Sequence, residues 1–166
     1  DHPAIDDGDG DAVNLGGDLA NITLDGAGHT AHRIHREDAG EDGAGDATEA
    51  VHGEGARQFV QLFGCGVHDK GTMIMDEWHP LWGISEIPSV VHREIPRVMG
   101  KAELRDIAKG FGEAAQNVKY AGLDGVELHA AHSYLLGQVL SPCYNIRSDE
   151  YGGSVANRCR LIVEVV

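Results

Sequence analysis

The stretch that decides the fold spans residues 121–166 and reads AGLDGVELHAAHSYLLGQVLSPCYNIRSDEYGGSVANRCRLIVEVV. Its apolar residues Val126 and Leu128 predict a short buried strand over residues 125–129. One helical pattern precedes this strand and another follows it, which is typical of a parallel sheet. Catalytic side chains in such sheets gather at the carboxyl ends of the strands. We therefore expect a functional site where this strand ends.

Three hydrogen-bonding side chains occupy that strand end. His129 closes the strand, His132 follows it closely, and Tyr134 opens the next apolar segment. Because all three can donate hydrogen bonds and histidines titrate near neutrality, the group suits binding or acid–base chemistry. Glu127 would face the same side as His129 and could contribute to a metal site. From these residues alone, catalysis, metal binding and a structural role are all open.

The segments around this strand alternate between helix and strand. Residues 101–120 present one apolar face at helical spacing, which predicts a helix that leads into the strand. Residues 64–99 are rich in glycine and proline and predict a long excursion without core elements. Ser154 is the expected N-cap of a last helix. Further helices are expected over residues 47–54 and 134–140, and a further strand over residues 57–63.

The amino-terminal part of the chain differs from the rest in composition. Residues 1–50 hold 13 of the 27 acidic residues but only two basic residues, Arg33 and Arg36. Since residues 1–47 also carry few large apolar side chains, burial there can offset little of the entropy lost on ordering. We therefore expect an irregular, acidic, glycine- and aspartate-rich segment over residues 1–47 and a folded domain over residues 48–166.

Charge and cysteine content limit the classes of partner and compartment. The net charge of −14 disfavours nucleic acid and anionic membranes as partners, because phosphate groups are bound by clustered lysine and arginine. No apolar run approaches the about 20 residues of a membrane span, and no secretion signal is recognisable. Three widely spaced cysteines, Cys65, Cys143 and Cys159, argue against a disulfide framework. We expect a cytoplasmic protein.

The motifs downstream of the strand resemble those of the old yellow enzyme family of FMN-dependent oxidoreductases. That family has a strand ending in H-x-x-H or H-x-x-N, then G-Y-L, L-S-P, N-x-R-x-D-x-Y-G-G-S and N-R. This chain reads HAAH at residues 129–132, SYL at 133–135, LSP at 140–142, NIRSDEYGGS at 145–154 and NR at 157–158. The resemblance covers residues from about 50 onward and is strongest from Pro96.

The resemblance implies an α/β fold and, in particular, part of a (β/α)8 TIM barrel. A complete barrel usually takes about 250 residues, and this chain has 166. We therefore expect roughly the second to fourth β/α units of an FMN-binding barrel. The N-x-R-x-D-x-Y-G-G loop at residues 145–153 is expected to brace the structure that follows the strand.

The resemblance also implies roles for individual residues. His129 and His132 are expected to bind the oxygen of the substrate and to stabilise it as it gains negative charge. Tyr134 is expected to donate a proton to the substrate, and Gln61 to bind the pyrimidine edge of FMN. Beyond Gln61 the family's H-A-G-R is replaced by Gly-Cys-Gly-Val at residues 64–67, so the family's histidine and arginine are missing there.

The expected function is the NAD(P)H-dependent reduction of activated C=C bonds in small α,β-unsaturated carbonyl compounds, with FMN as the cofactor. Larger relatives carry an iron–sulfur cluster, which this chain could share only within a longer parent protein. The alternative is a truncated, inactive half-barrel that binds FMN poorly or works only as a homo-oligomer or with a partner, because open strand edges favour association. A histidine-based metalloprotein is the third hypothesis. His29, His32 and His35 would give at most weak metal binding.

Overall fold

The computed structural model describes residues 21–24, 44–69, 81–90 and 93–166. A short 3-10 turn follows the second strand at Gly66–His68. The other elements, in chain order, are β1 (Asn21–Leu24), α1 (Ala44–Gly53), β2 (Phe59–Gly64), β3 (Trp82–Gly83), β4 (Arg97–Val98), α2 (Lys101–Tyr120), β5 (Gly125–Leu128), α3 (Leu135–Leu140) and α4 (Val155–Val165).

The main sheet is parallel and has the strand order β1-β2-β5. Helices connect its strands, as parallel pairing requires a crossover between neighbours. The α/β class predicted from the sequence is therefore confirmed. The register aligns Gln61 of β2 with Glu127 of β5. This register brings the carboxyl ends of the two strands to the same edge of the sheet.

The segment over residues 1–47, predicted to be largely irregular, contains one strand and the start of a helix. Asn21–Leu24 forms β1 and pairs with β2, and α1 begins at Ala44 rather than at residue 47. A strand of four residues carries too weak a pattern for local sequence to predict, and its hydrogen bonds come from a strand about 40 residues away. The remaining residues before Ala44 lie outside the described part of the chain. The division at residue 47 stays a prediction.

Helix α2 packs on one face of the sheet and, among the described residues, supplies five of the 14 buried residues of the hydrophobic core cluster. Its bounds are those predicted, and its buried side chains pack against Val60 and Leu62 of β2. The fully buried residues of the helix are Leu104, Ile107, Phe111, Ala114 and Val118. Burial of such side chains stabilises a fold by about 25 cal/mol per Å² of apolar area removed from water.

The excursion over residues 64–99 contains core elements, contrary to the prediction. Strands β3 and β4 pair in parallel, and Ile84 and Met99 beside them are each only 1% exposed. Glycine and proline density predicts loops correctly but does not show which loop residues are covered by tertiary contacts. Trp82 lies under the guanidinium of Arg97, 4.7 Å from the ring centroid.

Arg147 ties the excursion to the loop that follows α3. Its guanidinium donates to the carbonyl oxygens of Ile84 and Met99 and forms a two-bond pair with Asp149, with Nη2 to Oδ2 at 2.6 Å. The pair lowers the pKa of Asp149 below its ordinary value. Farther on, Ser154 accepts a hydrogen bond from the backbone N–H of Asn157, so the predicted N-cap of α4 is confirmed.

Candidate active site

The site lies on the face of the sheet opposite α2. Because side chains alternate along a strand, Val60 and Leu62 enter the core, while Gln61 and Phe63 lie on the other face. The paired register places Glu127 beside Gln61. The backbone N–H of His129 donates to the carbonyl oxygen of Leu62, which extends the ladder by one residue. The ring of His129 thereby lies edge-on to Phe63, at a centroid distance of 6.2 Å.

His129, His132 and Tyr134 lie together at the carboxyl end of β5. The Nε2 atom of His129 is 3.2 Å from Nδ1 of His132, within hydrogen-bonding distance. The ring of Tyr134 lies 5.3 Å from the His129 ring and 5.1 Å from the Phe63 ring, measured between centroids. The predicted site residues of this segment are therefore neighbours in space. Their catalytic roles stay predictions.

The turn that carries His132 has an unusual backbone. His132 and Ser133 have φ angles of 53° and 59°, in the left-handed region. That conformation costs a non-glycine residue roughly 1–2 kcal/mol. The family motif that this segment resembles has glycine at the position of Ser133. Serine at this position therefore carries backbone strain. The turn is held in place by the buried side chain of Gln138, which donates to the carbonyl oxygen of Ser133.

His68 belongs to the same cluster, and sequence reasoning missed it. Its ring lies edge-on to Tyr134 at 6.1 Å and to Tyr144 at 6.5 Å, and its Nδ1 atom is 2.9 Å from the hydroxyl of Ser89. The available signal was its position in the loop that follows β2, since such loops line the functional edge of a parallel sheet.

Residues 15–166 match the NADH:flavin oxidoreductase / NADH oxidase family. The chain belongs to this family. The resemblance read from residues 129–158 is therefore confirmed, and the match extends to residue 15, well before the expected start near residue 50. Because β1 lies within the matched range, the acidic amino-terminal part also contains family structure.

Two relatives illustrate the range of this NADH:flavin oxidoreductase family. The chain is 32% identical over 155 residues to a multifunctional alkene reductase/demethylase of Caballeronia cordobensis, covering 93% of this chain and 22% of the relative. It is 36% identical over 132 residues to an NADPH dehydrogenase of Bacillus licheniformis, covering 78% of this chain and 37% of the relative.

Solved structures of similar proteins give the same picture. Morphinone reductase aligns with a TM-score of 0.71 and 29% identity over 89% of this chain and 43% of its own length. Old Yellow Enzyme from Pichia sp. aligns with a TM-score of 0.67 and 29% identity, over 77% of this chain and 36% of its own length. The chain thus spans less than half the length of each of these relatives.

Gln61 is the residue for which flavin binding is predicted from the sequence. It lies on the open face of the sheet, two positions before Phe63, and its Nε2 atom donates to Oε1 of Glu127 at 3.1 Å. Within the described residues this is the one hydrogen bond of the Gln61 side chain. The other amide hydrogen and the amide oxygen can therefore meet a polar ring edge that both accepts and donates.

Cys65 follows β2 but is not suited to nucleophilic chemistry. Burial, with a smaller effect from the nearby Asp69 carboxylate, raises the pKa of the Cys65 thiol to about 11. A thiol with that pKa is almost wholly protonated near neutral pH, and the thiolate is the reactive form. The structure therefore favours a packed, unreactive thiol.

The metal hypothesis gains no support from the described residues. Across residues 44–69, 81–90 and 93–166, no three potential ligand side chains are gathered around one point. The carboxylate of Glu127 instead accepts a hydrogen bond from Gln61. His29, His32 and His35 lie outside the described residues.

Within the described residues, no helix is both long and apolar enough to cross a bilayer.

Proposed function

We propose that this chain provides the substrate-binding and proton-donating part of an FMN-dependent ene-reductase of the old yellow enzyme type. The parent enzyme would use NAD(P)H to reduce the activated C=C bond of a small α,β-unsaturated carbonyl compound. One observation carries the proposal: His129, His132 and Tyr134 form a contiguous cluster at the carboxyl end of β5, on the same open face as Gln61. Family membership and the names of the relatives support it.

The histidine pair is suited to bind a carbonyl oxygen. In the 3.2 Å contact between His129 and His132, one ring nitrogen donates and the other accepts. To bind one substrate oxygen, each of these two nitrogens must carry a hydrogen. Both N–H groups then donate to the substrate oxygen, and the hydrogen bond between the two rings is lost. Donors aimed at an oxygen that gains negative charge stabilise the transition state, and removing one such donor typically slows a reaction by about 100- to 1,000-fold.

Tyr134 completes the reduction as the proton donor. Reduction of the double bond adds a hydride to the β-carbon and a proton to the α-carbon of the substrate. A phenol holds its proton at neutral pH and can deliver it as a general acid. The rings of Phe63 and His68 pack against Tyr134 and limit the directions that its ring can take.

Gln61 would hold the pyrimidine edge of FMN through its amide. When bound, FMN supplies the hydride that NAD(P)H has delivered to it. The Gln61 amide is held by Glu127, and it shares the open face with Phe63. Gln61 lies on β2, which pairs with β5, and the histidine pair follows β5.

Two measurements test this proposal. Flavin fluorescence during titration of the chain with FMN should show saturable binding that Gln61→Ala weakens. Gln116→Ala, on the exposed side of α2, is the matched control and should bind as the wild type does. With FMN, NADPH and cyclohex-2-enone in D2O, the wild-type chain should place deuterium on the α-carbon, and Tyr134→Phe should form that product far more slowly. Undiminished deuterium incorporation in Tyr134→Phe would contradict the proposed role of Tyr134 as the proton donor.

A second candidate is a noncatalytic half-barrel that works as a homo-oligomer. It is favoured by Phe59, whose side chain on the open face of the sheet is 61% exposed. An exposed large apolar side chain can contribute to association between copies of a chain. Light scattering tests this candidate directly: a molar mass that rises with concentration and falls in Phe59→Ser would support it, and a constant monomer mass would exclude it.

A further inference from the structure

Gln138 of α3 is a polar side chain enclosed between the two loops that form the site. It is 0% exposed. Its Nε2 atom donates to the carbonyl oxygens of Ser133 at 2.5 Å and Cys65 at 3.2 Å, and its Oε1 atom accepts from the backbone N–H of Val67 at 3.2 Å. One amide therefore binds three backbone groups. Two of these groups lie more than 70 positions away in the sequence.

The first loop is the left-handed turn of His132 and Ser133. Both residues have positive φ angles, which non-glycine residues rarely adopt without support from their surroundings. The bond from Gln138 fixes the carbonyl oxygen of Ser133 and with it the peptide plane at the end of this turn. Since the His132 ring leaves the same turn, its position against His129 depends on this backbone.

The second loop follows β2. Gly66 has a φ of 57°, and a Cβ atom built on it would lie 2.3 Å from Oε1 of Gln138. Glycine at residue 66 therefore lets the loop approach the amide closely without a clash and with little backbone strain. Two residues later, His68 packs edge-on against Tyr134. The hydrogen bonds of Gln138 to Cys65 and Val67 thus determine where the ring of His68 contacts the ring of Tyr134.

We propose that Gln138 is a positioning residue that sets the geometry of the histidine pair and of Tyr134 at the same time. Its side-chain hydrogen bonds all go to backbone groups of the two loops, and its own backbone N–H donates to the carbonyl oxygen of Tyr134. The inference rests on the proposed function, because the groups that it positions are the proposed oxygen donors and the proposed acid. Its test does not require flavin or substrate.

Asn145 is a matched control elsewhere in the fold. Its side chain is 4% exposed, and its Nδ2 atom donates to two backbone carbonyl oxygens, those of Val139 and Tyr151. Its Oδ1 atom accepts from the backbone N–H of Arg147. The two amides therefore make the same kinds of bond at similar burial. They differ in that only Gln138 binds the loops of the site.

The experiment records the ring nitrogen resonances of the histidines in the full 166-residue chain by NMR at pH 8. In the wild type, His129 and His132 should each show one fixed tautomer, because one ring donates to the other. Gln138→Met should abolish this pattern and leave both rings as tautomer mixtures, whereas Asn145→Leu should keep it. An unchanged pattern in Gln138→Met, or an equal change in Asn145→Leu, would overturn the proposal.

Two further variants keep the test decisive. If Gln138→Met does not fold, Gln138→Glu takes its place, because it keeps the shape and the acceptor for Val67 but can donate to at most one of the two carbonyl oxygens. Ser133→Gly should restore the fixed tautomers in the Gln138 variant, because glycine adopts the positive φ without support. It should not restore the stability of Asn145→Leu. Failure of Ser133→Gly to restore the pattern would overturn the role of Gln138 in holding the turn.

The outcome is separable from that of the proposed function. If Gln138 controls the histidine tautomers while FMN binding and enone reduction both fail, the reaction assignment is wrong and the structural coupling holds. If the enzyme assays succeed and the tautomers do not respond to Gln138, the coupling is wrong and the reaction assignment holds.

Discussion

Gln61 and Glu127 lie side by side on neighbouring parallel strands, and the amide of Gln61 donates to the carboxylate of Glu127 over 3.1 Å. A carboxylate only accepts, so this bond determines which end of the amide faces Glu127 and which end faces away. The orientation of the proposed flavin-binding group is thus set by a residue on the adjacent strand.

Glu127→Leu is therefore expected to weaken FMN binding without removing Gln61. Loss of a hydrogen bond of about 1 kcal/mol that orients the amide corresponds to roughly a fivefold rise in Kd. Fluorescence titration measures the effect. The control is Glu113→Leu on α2, where the carboxylate pairs with Lys109 at 3.4 Å, far from the sheet face. Equal affinity of the two variants for FMN would show that Glu127 does not orient Gln61.

Asp124 joins α1 to the starts of two strands, and its removal should lower stability. Its carboxylate accepts from the backbone N–H of Gln58, from Arg57 and from His52. These bonds, the Gln58 bond foremost, lower the pKa of Asp124 well below its ordinary value of 3.8. Asp124→Asn should lower the thermal midpoint at pH 7 by several degrees, whereas Asp106→Asn on the exposed side of α2 should not.

The pH dependence of this effect has a defined sign. Because the pKa of Asp124 is depressed in the folded state, its stabilisation is fully present above the unfolded-state pKa and is lost as the pH falls through the folded-state pKa. Urea unfolding of the wild type and Asp124→Asn should therefore give a difference in unfolding free energy that shrinks below about pH 4. A difference that grows on acidification would contradict this account.

Arg147 is expected to be required for the position of the excursion. It is mostly buried and binds Asp149 and two carbonyl oxygens, those of Ile84 and Met99. Since breaking one side of a buried charged pair costs roughly 3 kcal/mol, Arg147→Ala should reduce the unfolding free energy by about that amount in urea. Arg147→Lys should recover little, because an ammonium lacks the planar fork.

Arg160→Ala provides the comparison for that measurement. Arg160 is exposed and donates to the carbonyl oxygen of Glu150. Its loss should change the unfolding free energy by no more than about 1 kcal/mol. If Arg147→Ala and Arg160→Ala lowered the unfolding free energy by the same amount, burial of the Arg147 network would not explain the contribution of Arg147 to stability.

Cys65 should resist alkylation. Burial raises its pKa to about 11 from an ordinary value of 9.0. The thiolate fraction at pH 8 is then on the order of 100-fold below that of an ordinary thiol, and the rate with iodoacetamide should fall accordingly. Cys143 is exposed and serves as the internal reference. Mass spectrometry of the alkylated peptides should show modification of Cys143 first, and preferential labelling of Cys65 would refute the assignment.

Much of the fold follows from local pattern. The spacing of apolar residues over residues 101–120 predicts a helix with one buried face. The structure contains α2 with the same bounds. The alternation of helix and strand likewise implies parallel pairing. β1 could not be found in this way, since its bonds come from β2 and its own sequence is short.

Some residues of the site could likewise be identified from local sequence, and others could not. The order of His129, His132 and Tyr134 along the chain, with the motif that follows, identified the family and its candidate chemistry. His68 and Gln138 did not stand out, because their importance lies in contacts with residues distant in sequence.

The sequence by itself thus determined α2, β5 and the residue types at the end of that strand, because these depend on periodicity and short motifs. Only the tertiary structure decided that Gln61 meets Glu127, that His68 packs on Tyr134, and that one buried amide joins both loops. The physical reason is that such contacts depend on strand register and helix packing, which bring together side chains that no local pattern relates.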